Sequence, residues 1–232
     1  MKYVRCRTDH RRSNIHCVRG IGSRASRGPV IGTGGGKRMG MFTLEHSRAA
    51  YRADFILYGA TVAVLAAATL AAAPRGQGLQ TAALALAGLC GWSAIEYALH
   101  RFVLHGLAPF RQWHALHHQR PSALICAPTI LSAGLILGLV FTPALLLGDL
   151  WRACALTFGV VSGYLAYAVT HHATHHWRFE NDWLKRRRHW HALHHHADGP
   201  GCYGVTSAVW DRVFGTVSVV LPPRSAARFF GG

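Results

Sequence analysis

Long apolar stretches alternate with polar connections along most of this chain. A membrane-spanning helix needs about 20 apolar residues, with about 17 as the lower limit. Four stretches without a charged residue meet this length: residues 55–73, 79–95, 123–148 and 153–170. The second continues through Glu96 to His100, and the third holds Pro128 and Pro143, so we expect the third to tilt or to bend at a proline. One such stretch would fit a buried helix of a soluble protein, but four predict an all-α integral membrane protein with four transmembrane helices.

Lys and Arg are distributed unevenly over the connections. The first-to-second and third-to-fourth connections carry one each, Arg75 and Arg152, whereas three follow the second span and eight follow the fourth. Because cytoplasmic segments are enriched in these residues, both termini and the histidine-rich segments are predicted to be cytoplasmic. The net charge of +16 then reflects membrane orientation. A nucleic-acid surface would interleave basic and aromatic residues on a soluble fold, so we predict no nucleic-acid partner.

The first 40 residues have a different composition. They hold ten Lys or Arg and a single acid, Asp9, with many Gly and Ser and no apolar period. Such a segment buries too little apolar surface to fold, and it lacks the apolar core of a signal peptide. We predict a disordered basic leader over residues 1–40 and a membrane domain over residues 41–232, with translation starting near Met39 or Met41 as a further hypothesis. The six cysteines form no C-x-x-C pair and are expected to be free thiols.

Fourteen of the 17 histidines lie between His100 and His196, at the ends of the spans. Ten form four runs with metal-ligand spacing: His100 and His105; His114, His117 and His118; His171 and His175; His191, His194 and His195. Positions i, i+3 and i+4 share a helix face, so each of the last three runs points to one side. His100 and His105 diverge on a regular helix, and we expect them to bind different metals. Ten imidazoles exceed the needs of one ion and predict two metals in a histidine-rich cytoplasmic helical cap.

The remaining histidines and the nearby acids have other predicted roles. Four histidines flank the runs and are interpreted as interfacial polar residues: His172, His176, His189 and His196. Three are isolated and expected to be solvated: His10, His16 and His46. Glu96, one turn before His100, is a candidate to accept the second ring N–H of that ligand, with helix-end capping as the alternative. Glu180 and Asp182 are further carboxylates that would offset metal charge.

Five segments resemble the fatty acid hydroxylase superfamily of integral-membrane diiron oxygenases, which includes fatty acid 2-hydroxylases, sterol oxidases, sterol desaturases and carotenoid hydroxylases. The resemblance is carried by EYALHRFVLHG (96–106), WHALHHQRPS (113–122), GYLAYAVTHHATHH (163–176), HWHALHHH (189–196) and YGVTSAVWDRVFGT (203–216). It implies that the ten spaced histidines are the metal ligands. In the last segment, Trp210 and Asp211 are interpreted as closing the cap, and Asp211 joins Glu96 as a candidate outer partner of the ligands.

The resemblance also implies a reaction. It implies two iron ions, O₂ as co-substrate, and hydroxylation of a C–H bond in a fatty-acyl or sterol-like lipid. Electrons would come from a separate donor of the cytochrome b5-like or ferredoxin type. Imidazole binds zinc as well as iron, so purified protein could carry zinc. Trp92, Tyr164 and Tyr167 are candidates to line the lipid channel, with anchoring at the membrane interface as the alternative.

Other functions fit the pattern less well. Within the family, carotenoid hydroxylation and lipid desaturation stay open, because Ala168 stands where eukaryotic fatty acid 2-hydroxylases have Asp and the stretch from His105 to His114 is shorter. A divalent-metal transporter would place ligands near the bilayer midplane, whereas these spans hold no histidine before their ends. A zinc hydrolase would need fewer histidines and a carboxylate base. The expected location is the bacterial inner membrane, or the endoplasmic reticulum if the chain is eukaryotic.

Overall fold

The computed structural model describes residues 45–178, 181–196 and 201–217, together with the backbone of two short strands. Strands β1 (Arg5–Thr8) and β2 (Ile15–Val18) pair antiparallel, with Arg5 opposite Val18. They belong to a unit over Met1–Arg38 that is distinct from the unit over Met39–Gly232. The leader expected over residues 1–40 otherwise lies outside the described residues, so its disorder stays a prediction.

Four helical spans make up most of the second unit. They are α1 (Arg48–Ala72), α2 (Gly78–Ala98) continued by a π-helical turn (Leu99–Leu104), the third span from Thr129 to Leu147, and α6 (Leu150–His176). Each is long and apolar enough to cross a membrane, which confirms the predicted all-α, four-span fold. Polar caps extend two helices beyond their apolar stretches, because the Ser47 side chain accepts the Ala50 N–H and Asp149 accepts the Arg152 N–H.

The third span is interrupted near a proline. It consists of α4 (Thr129–Ile136), a π-helical turn (Leu137–Phe141) and α5 (Thr142–Leu147). Pro143 has no N–H to donate, and its ring would crowd the carbonyl of Leu139 in a regular helix. The wider π-helical turn directly before Pro143 accommodates this conflict. Pro128, in contrast, stands at the start of α4.

Helix α6 is the centre of the bundle, packed between α1 and α2. Half of its apolar window is buried inside the protein, whereas none of the third span's window is. Small residues allow α2 and α6 to approach closely, since a Cβ atom at Gly159 would collide with the Ala85 carbonyl and one at Gly163 with the Trp92 side chain. This packing fixes the relative positions of the ends of α2 and α6, where the first and third histidine runs lie.

A helical cap adjoins those ends. It consists of α3 (Phe110–Gln119), α7 (Asp182–His196) and α8 (Val209–Val213), with the irregular residues 201–208 before α8. Both H-x-x-H-H runs lie on cap helices, one on α3 and one on α7. The cap therefore brings histidines distant in sequence to the ends of α2 and α6.

Candidate metal centre

The spaced histidines converge into two adjoining groups. Group A consists of His100, His105, His114, His118 and His194. Group B consists of His117, His171, His175 and His191, and within each of these two sets the candidate ligand atoms lie within 4.8 Å of one another. We include His195 in group B because its Nε2 lies 3.1 Å from Nε2 of His191. The structure thus brings together all ten histidines that the sequence proposes as ligands.

The Nε2 atoms meet at distances suited to metal binding. In group A, Nε2 of His114 lies 3.0 Å from Nε2 of both His100 and His118. In group B, Nε2 of His191 lies 2.7 Å from Nε2 of His175. Metal–imidazole bonds of about 2.1 Å at right angles place neighbouring nitrogens about 3.0 Å apart. The donor set therefore fits two metal ions.

Hydrogen bonds at the opposite ring nitrogens fix two of these imidazoles. The Nδ1–H of His100 donates to the Tyr203 carbonyl at 2.5 Å, and that of His194 donates to the Gly201 carbonyl at 2.8 Å. Because a carbonyl can only accept, the proton of each neutral ring is on Nδ1 and Nε2 presents a lone pair to group A. Lone pairs converging at about 3 Å repel one another unless a proton or a metal cation lies between them.

Burial keeps the cap imidazoles in the form that binds metal. It lowers the pKa of His118 to about 4, and the pKa values of His117 and His194 to about 3. Neighbouring histidines lower these pKa values further, since a second positive charge nearby would be unfavourable. The rings are thus neutral near pH 7, as metal ligation requires.

His100 and His105 lie in the same group, whereas the sequence led us to expect that they bind different metals. The chain forms a π-helical turn over Leu99–Leu104, and the His105 N–H donates to the His100 carbonyl, five residues earlier, at 3.2 Å. A π-helix is wider than an α-helix, so residues five apart return to nearly the same face. The two ring centroids are 5.3 Å apart.

Each H-x-x-H-H run divides between the two groups. On α3, His114 and His118 belong to group A and His117 to group B. An α-helix turns about 100° per residue, so position i+4 lies about 40° from i, and i+3 lies about 60° to the other side. The three histidines therefore share one broad face of α3, as predicted. Positions i+3 and i+4 lie on opposite sides of position i, and this difference directs His117 and His118 into different groups.

Glu96 does not contact His100, and that predicted role is wrong. Its buried carboxylate accepts the N–H groups of Val205 and Thr206 at 2.7 and 2.9 Å, and the Thr206 hydroxyl at 2.5 Å. Residues 203–206 pass over the end of α2, and their N–H and hydroxyl groups occupy the carboxylate in place of the imidazole of His100. Glu96 therefore fixes the segment whose Tyr203 carbonyl holds His100.

Asp211 fixes the same segment from the other side. This fully buried carboxylate accepts the N–H groups of Tyr203 and Gly204 and the Thr216 hydroxyl, each at 2.8 Å. Asp211 lies in neither histidine group and closes the cap, while Trp210 donates its ring N–H to Ser93 at 3.1 Å. Both outer acids thus act on the ligands through one backbone segment.

The flanking residues lie outside both groups. His172 hydrogen-bonds through Nδ1 to the Tyr51 hydroxyl and stacks on His176, while His189 and His196 are exposed. Asp182 is exposed, and Glu180 lies outside the described residues. His46 is half-buried, with its Nε2 buried, and it belongs to neither group. His10 lies outside the described residues, and for His16 only the backbone is described.

A cavity of about 140 Å³ adjoins the imidazoles. Three of them line it, together with mostly apolar and aromatic side chains: His114, His117 and His171. Tyr164 and Tyr167 line the cavity as expected. Trp92 instead packs edge-on against Tyr164 and is not among the residues that line the cavity. The sequence interpretation missed Asp54, which also lines the cavity, because the uncharged stretch begins one residue later. A helix start at the Ser47 cap would have placed Asp54 inside the span.

Comparison with known proteins identifies the family. The fatty acid hydroxylase family model matches residues 85–216, more than half of the chain. The chain therefore belongs to the fatty acid hydroxylase family, as its motifs indicated, and it is a membrane protein. The fold is also similar to that of the hydroxylase domain of scs7p, with a TM-score of 0.64 and 24% identity over 76% of this chain and 68% of that one.

Named relatives are hydroxylases of acyl lipids. A dihydroceramide fatty acyl 2-hydroxylase of Arabidopsis thaliana is 32% identical over 56% of this chain and 58% of its own length. A ceramide very long chain fatty acid hydroxylase of Schizosaccharomyces pombe is 33% identical over 56% of this chain and 40% of its own. The fatty acid 2-hydroxylase of Homo sapiens is 27% identical over 56% of this chain and 38% of its own. This chain thus spans roughly half of the length of the relatives that it matches.

Proposed function

We propose that this protein is a membrane-bound hydroxylase of fatty-acyl lipids that holds two iron ions in its histidine groups. The observation that carries the proposal is the contact between the cluster and the cavity, because His114, His117 and His171 each belong to a group and line the cavity. An acyl chain in this cavity lies directly against the imidazoles. The names of the relatives support an acyl substrate.

The ten histidines, five in each group, are the proposed ligands. Bound iron supplies the redox chemistry with O₂ that an unactivated C–H bond requires, which redox-silent zinc cannot supply. Zinc remains able to occupy the same imidazoles in purified protein. The Tyr203 and Gly201 carbonyls hold His100 and His194 in the tautomer that presents Nε2.

The protein's own residues position the lipid and keep the site dry. Aromatic side chains such as Phe55, Trp113 and Tyr167 line the cavity and exclude water beside the imidazoles. No side chain has to act as nucleophile or general base. The distribution of Lys and Arg supports a cytoplasmic cap, where a cytochrome b5-like or ferredoxin-type protein would deliver electrons.

Metal analysis combined with lipid analysis tests this proposal. The full chain is purified anaerobically for metal determination, and lipids are compared between cells with and without the gene, grown under ¹⁸O₂. We expect two irons per chain and an acyl lipid carrying one ¹⁸O hydroxyl. A variant with both His114→Ala and His191→Ala provides the control, since it removes a ligand from each group. One zinc with hydrolytic activity, or metal flux in liposomes, would refute the proposal.

A further inference from the structure

Asp54 is an acidic residue inside the first membrane span, and the mechanism proposed above does not use it. It lies within α1, whose length and hydropathy fit a bilayer crossing. Asp54 stands in the second turn of this helix, one residue before its uncharged stretch, and an ionisable side chain at the border of a span is a candidate for a function. Asp54 is half-buried and lines the cavity that adjoins the imidazoles. Its surroundings therefore bear on which lipid this cavity accepts.

Local donors satisfy only part of the carboxylate. The Thr129 hydroxyl donates to Oδ1 of Asp54 at 2.5 Å, and the Cys126 thiol lies 3.9 Å from Oδ2. Among the described residues, no Lys or Arg forms an ion pair with Asp54. An ionised carboxylate accepts about four hydrogen bonds, so acceptor capacity is left over at the cavity wall. A bound molecule with a hydroxyl or an amide N–H would satisfy it.

The register of α1 against α6 places the Asp54 carboxylate close to the histidines of groups A and B. Tyr51 on α1 hydrogen-bonds to His172 on α6, and Tyr58 packs against Tyr164 with ring centroids 4.5 Å apart. The two helices are therefore antiparallel, and Asp54 lies level with about Ala168. At 1.5 Å per residue, that level is only about 5 Å along α6 from His171. Ala168 also lines the cavity, and its small side chain leaves room opposite the carboxylate.

Charge then distinguishes between two kinds of acyl lipid. A free fatty acid would bring a second carboxylate into a mostly apolar site beside Asp54, and two like charges there are strongly unfavourable. An acyl amide is neutral and offers an N–H next to the acyl chain. With that N–H bound at Asp54, the carbons nearest the polar head lie within about one helical turn of the imidazoles.

We propose that Asp54 determines the substrate specificity of this cavity, accepting a hydrogen bond from the amide N–H or an adjacent hydroxyl of a neutral acyl amide lipid and excluding free fatty acids. This inference rests on the proposed function, because it assigns the cavity to the lipid substrate. It concerns lipid selection and leaves the metal ligands unchanged. It also orients the lipid, with the polar head beside Asp54 and the first carbons of the chain beside the imidazoles.

Binding measurements on the metal-loaded full chain test it. N-hexadecanoyl sphinganine and hexadecanoate are compared by competition for the cavity in detergent at pH 7.5. We expect the wild type to prefer the amide. Asp54→Asn removes the charge at constant shape, so hexadecanoate affinity rises about tenfold and the preference shrinks accordingly. Asp54→Ala removes the acceptor and lowers amide affinity about tenfold, the scale of a hydrogen bond to a charged group.

Two further variants make the comparison specific. Asp54→Glu keeps the negative charge, so hexadecanoate should still be excluded. Thr61→Val is the matched control on α1, because Thr61 does not line the cavity and its hydroxyl donates to the Leu57 carbonyl of its own helix. Its preference should equal that of the wild type. These variants separate the loss of charge from a general disturbance of α1.

The outcomes for the two proposals are distinguishable. A wild type that binds hexadecanoate as tightly as the amide, or a preference unchanged in both Asp54→Asn and Asp54→Ala, would overturn the role of Asp54. If the iron-loaded chain hydroxylates acyl lipids regardless, the proposed function stands. If it hydroxylates neither lipid yet shows the expected binding pattern, the reaction is refuted while the selectivity of Asp54 is supported.

Discussion

Helices α3 and α7 carry the same six residues, WHALHH, yet they contribute to the histidine cluster in opposite ways. On α3, the first and last histidines of the run lie in group A and the middle one, His117, in group B. On α7 the assignment is reversed: His194, the middle one, lies in group A, whereas His191 and His195 lie in group B. The motif therefore provides three ligands, and the side from which the helix approaches decides which group each ligand joins.

The surroundings of the two helices differ as well. His114 and His117 of α3 line the cavity, whereas none of the described α7 residues does. His194 of α7 is instead held by the Gly201 carbonyl, next to the segment that Glu96 and Asp211 fix. We infer that α3 forms the substrate side of the centre and α7 its closed side. The following predictions test how the ligands divide between the two groups and which contacts hold each group.

Removing one ligand from each helix should have the largest effect. His117→Ala takes a ligand from group B and His194→Ala takes one from group A, so each variant should lose about one of the two metals. We expect about a hundredfold loss of hydroxylation in both, since either loss would disable the proposed two-metal centre. Metal content per chain and product formation are measured together. Full turnover in either variant would contradict the ligand assignment.

Asp211→Asn should weaken metal binding in group A while leaving group B in place, because the segment that Asp211 fixes orients two ligands of group A. An asparagine presents one N–H₂ group where the carboxylate has an acceptor, so the N–H of Tyr203 or Gly204 loses its partner. The carbonyls that orient His100 and His194 then shift, and we expect metal affinity in group A to fall about 10- to 100-fold. Chelator titration of the metal-loaded protein measures this loss.

The matched control for that experiment is Asp182→Asn, an exposed acid at the start of α7. Its metal retention should equal that of the wild type. If Asp211→Asn instead released both metals equally, the two groups would not bind independently, and the specific role given to the segment over group A would be wrong.

Glu96→Gln should have a smaller effect of the same kind. Glutamine keeps an oxygen that can accept the Val205 and Thr206 N–H groups, and its amide can donate to the Thr206 hydroxyl. We expect a stability loss of about 1 kcal/mol, the difference between charged and neutral hydrogen bonds, and a loss of group A affinity of a few-fold. Thermal unfolding in detergent and chelator titration report these changes. A loss as large as that of His194→Ala would mean that Glu96 contacts a metal directly.

His172→Gln should have the smallest effect. His172 belongs to the third motif by sequence, but its Nδ1 faces the Tyr51 hydroxyl and its ring stacks on His176. We expect both metals to be retained and activity to stay within about twofold of the wild type, consistent with a substitution outside the ligand groups. Loss of a metal ion would add His172 to group B and redraw the boundary between the groups.

Much of this architecture follows from local sequence. The four spans are set by uninterrupted apolar composition, and the ten histidines could be selected by spacing because helical periodicity depends only on neighbouring residues. The pairing of His100 with His105 could not, because a π-helical turn is a local departure from that periodicity. Glu96 was placed at the correct helix end but given the wrong partner, since its donors lie more than 100 residues further along the chain.

The sequence by itself thus determined the class of fold, the histidine-rich cap and the identity of its spaced imidazoles, because hydrophobicity and ligand spacing are properties of short segments. Only the tertiary structure decided how the imidazoles divide into two groups, which backbone carbonyls orient them, and that Asp54 shares a cavity with them. These features depend on the angle and register at which helices pack. That packing is set by contacts such as those of Gly159 and Gly163 with α2, between residues far apart in the chain.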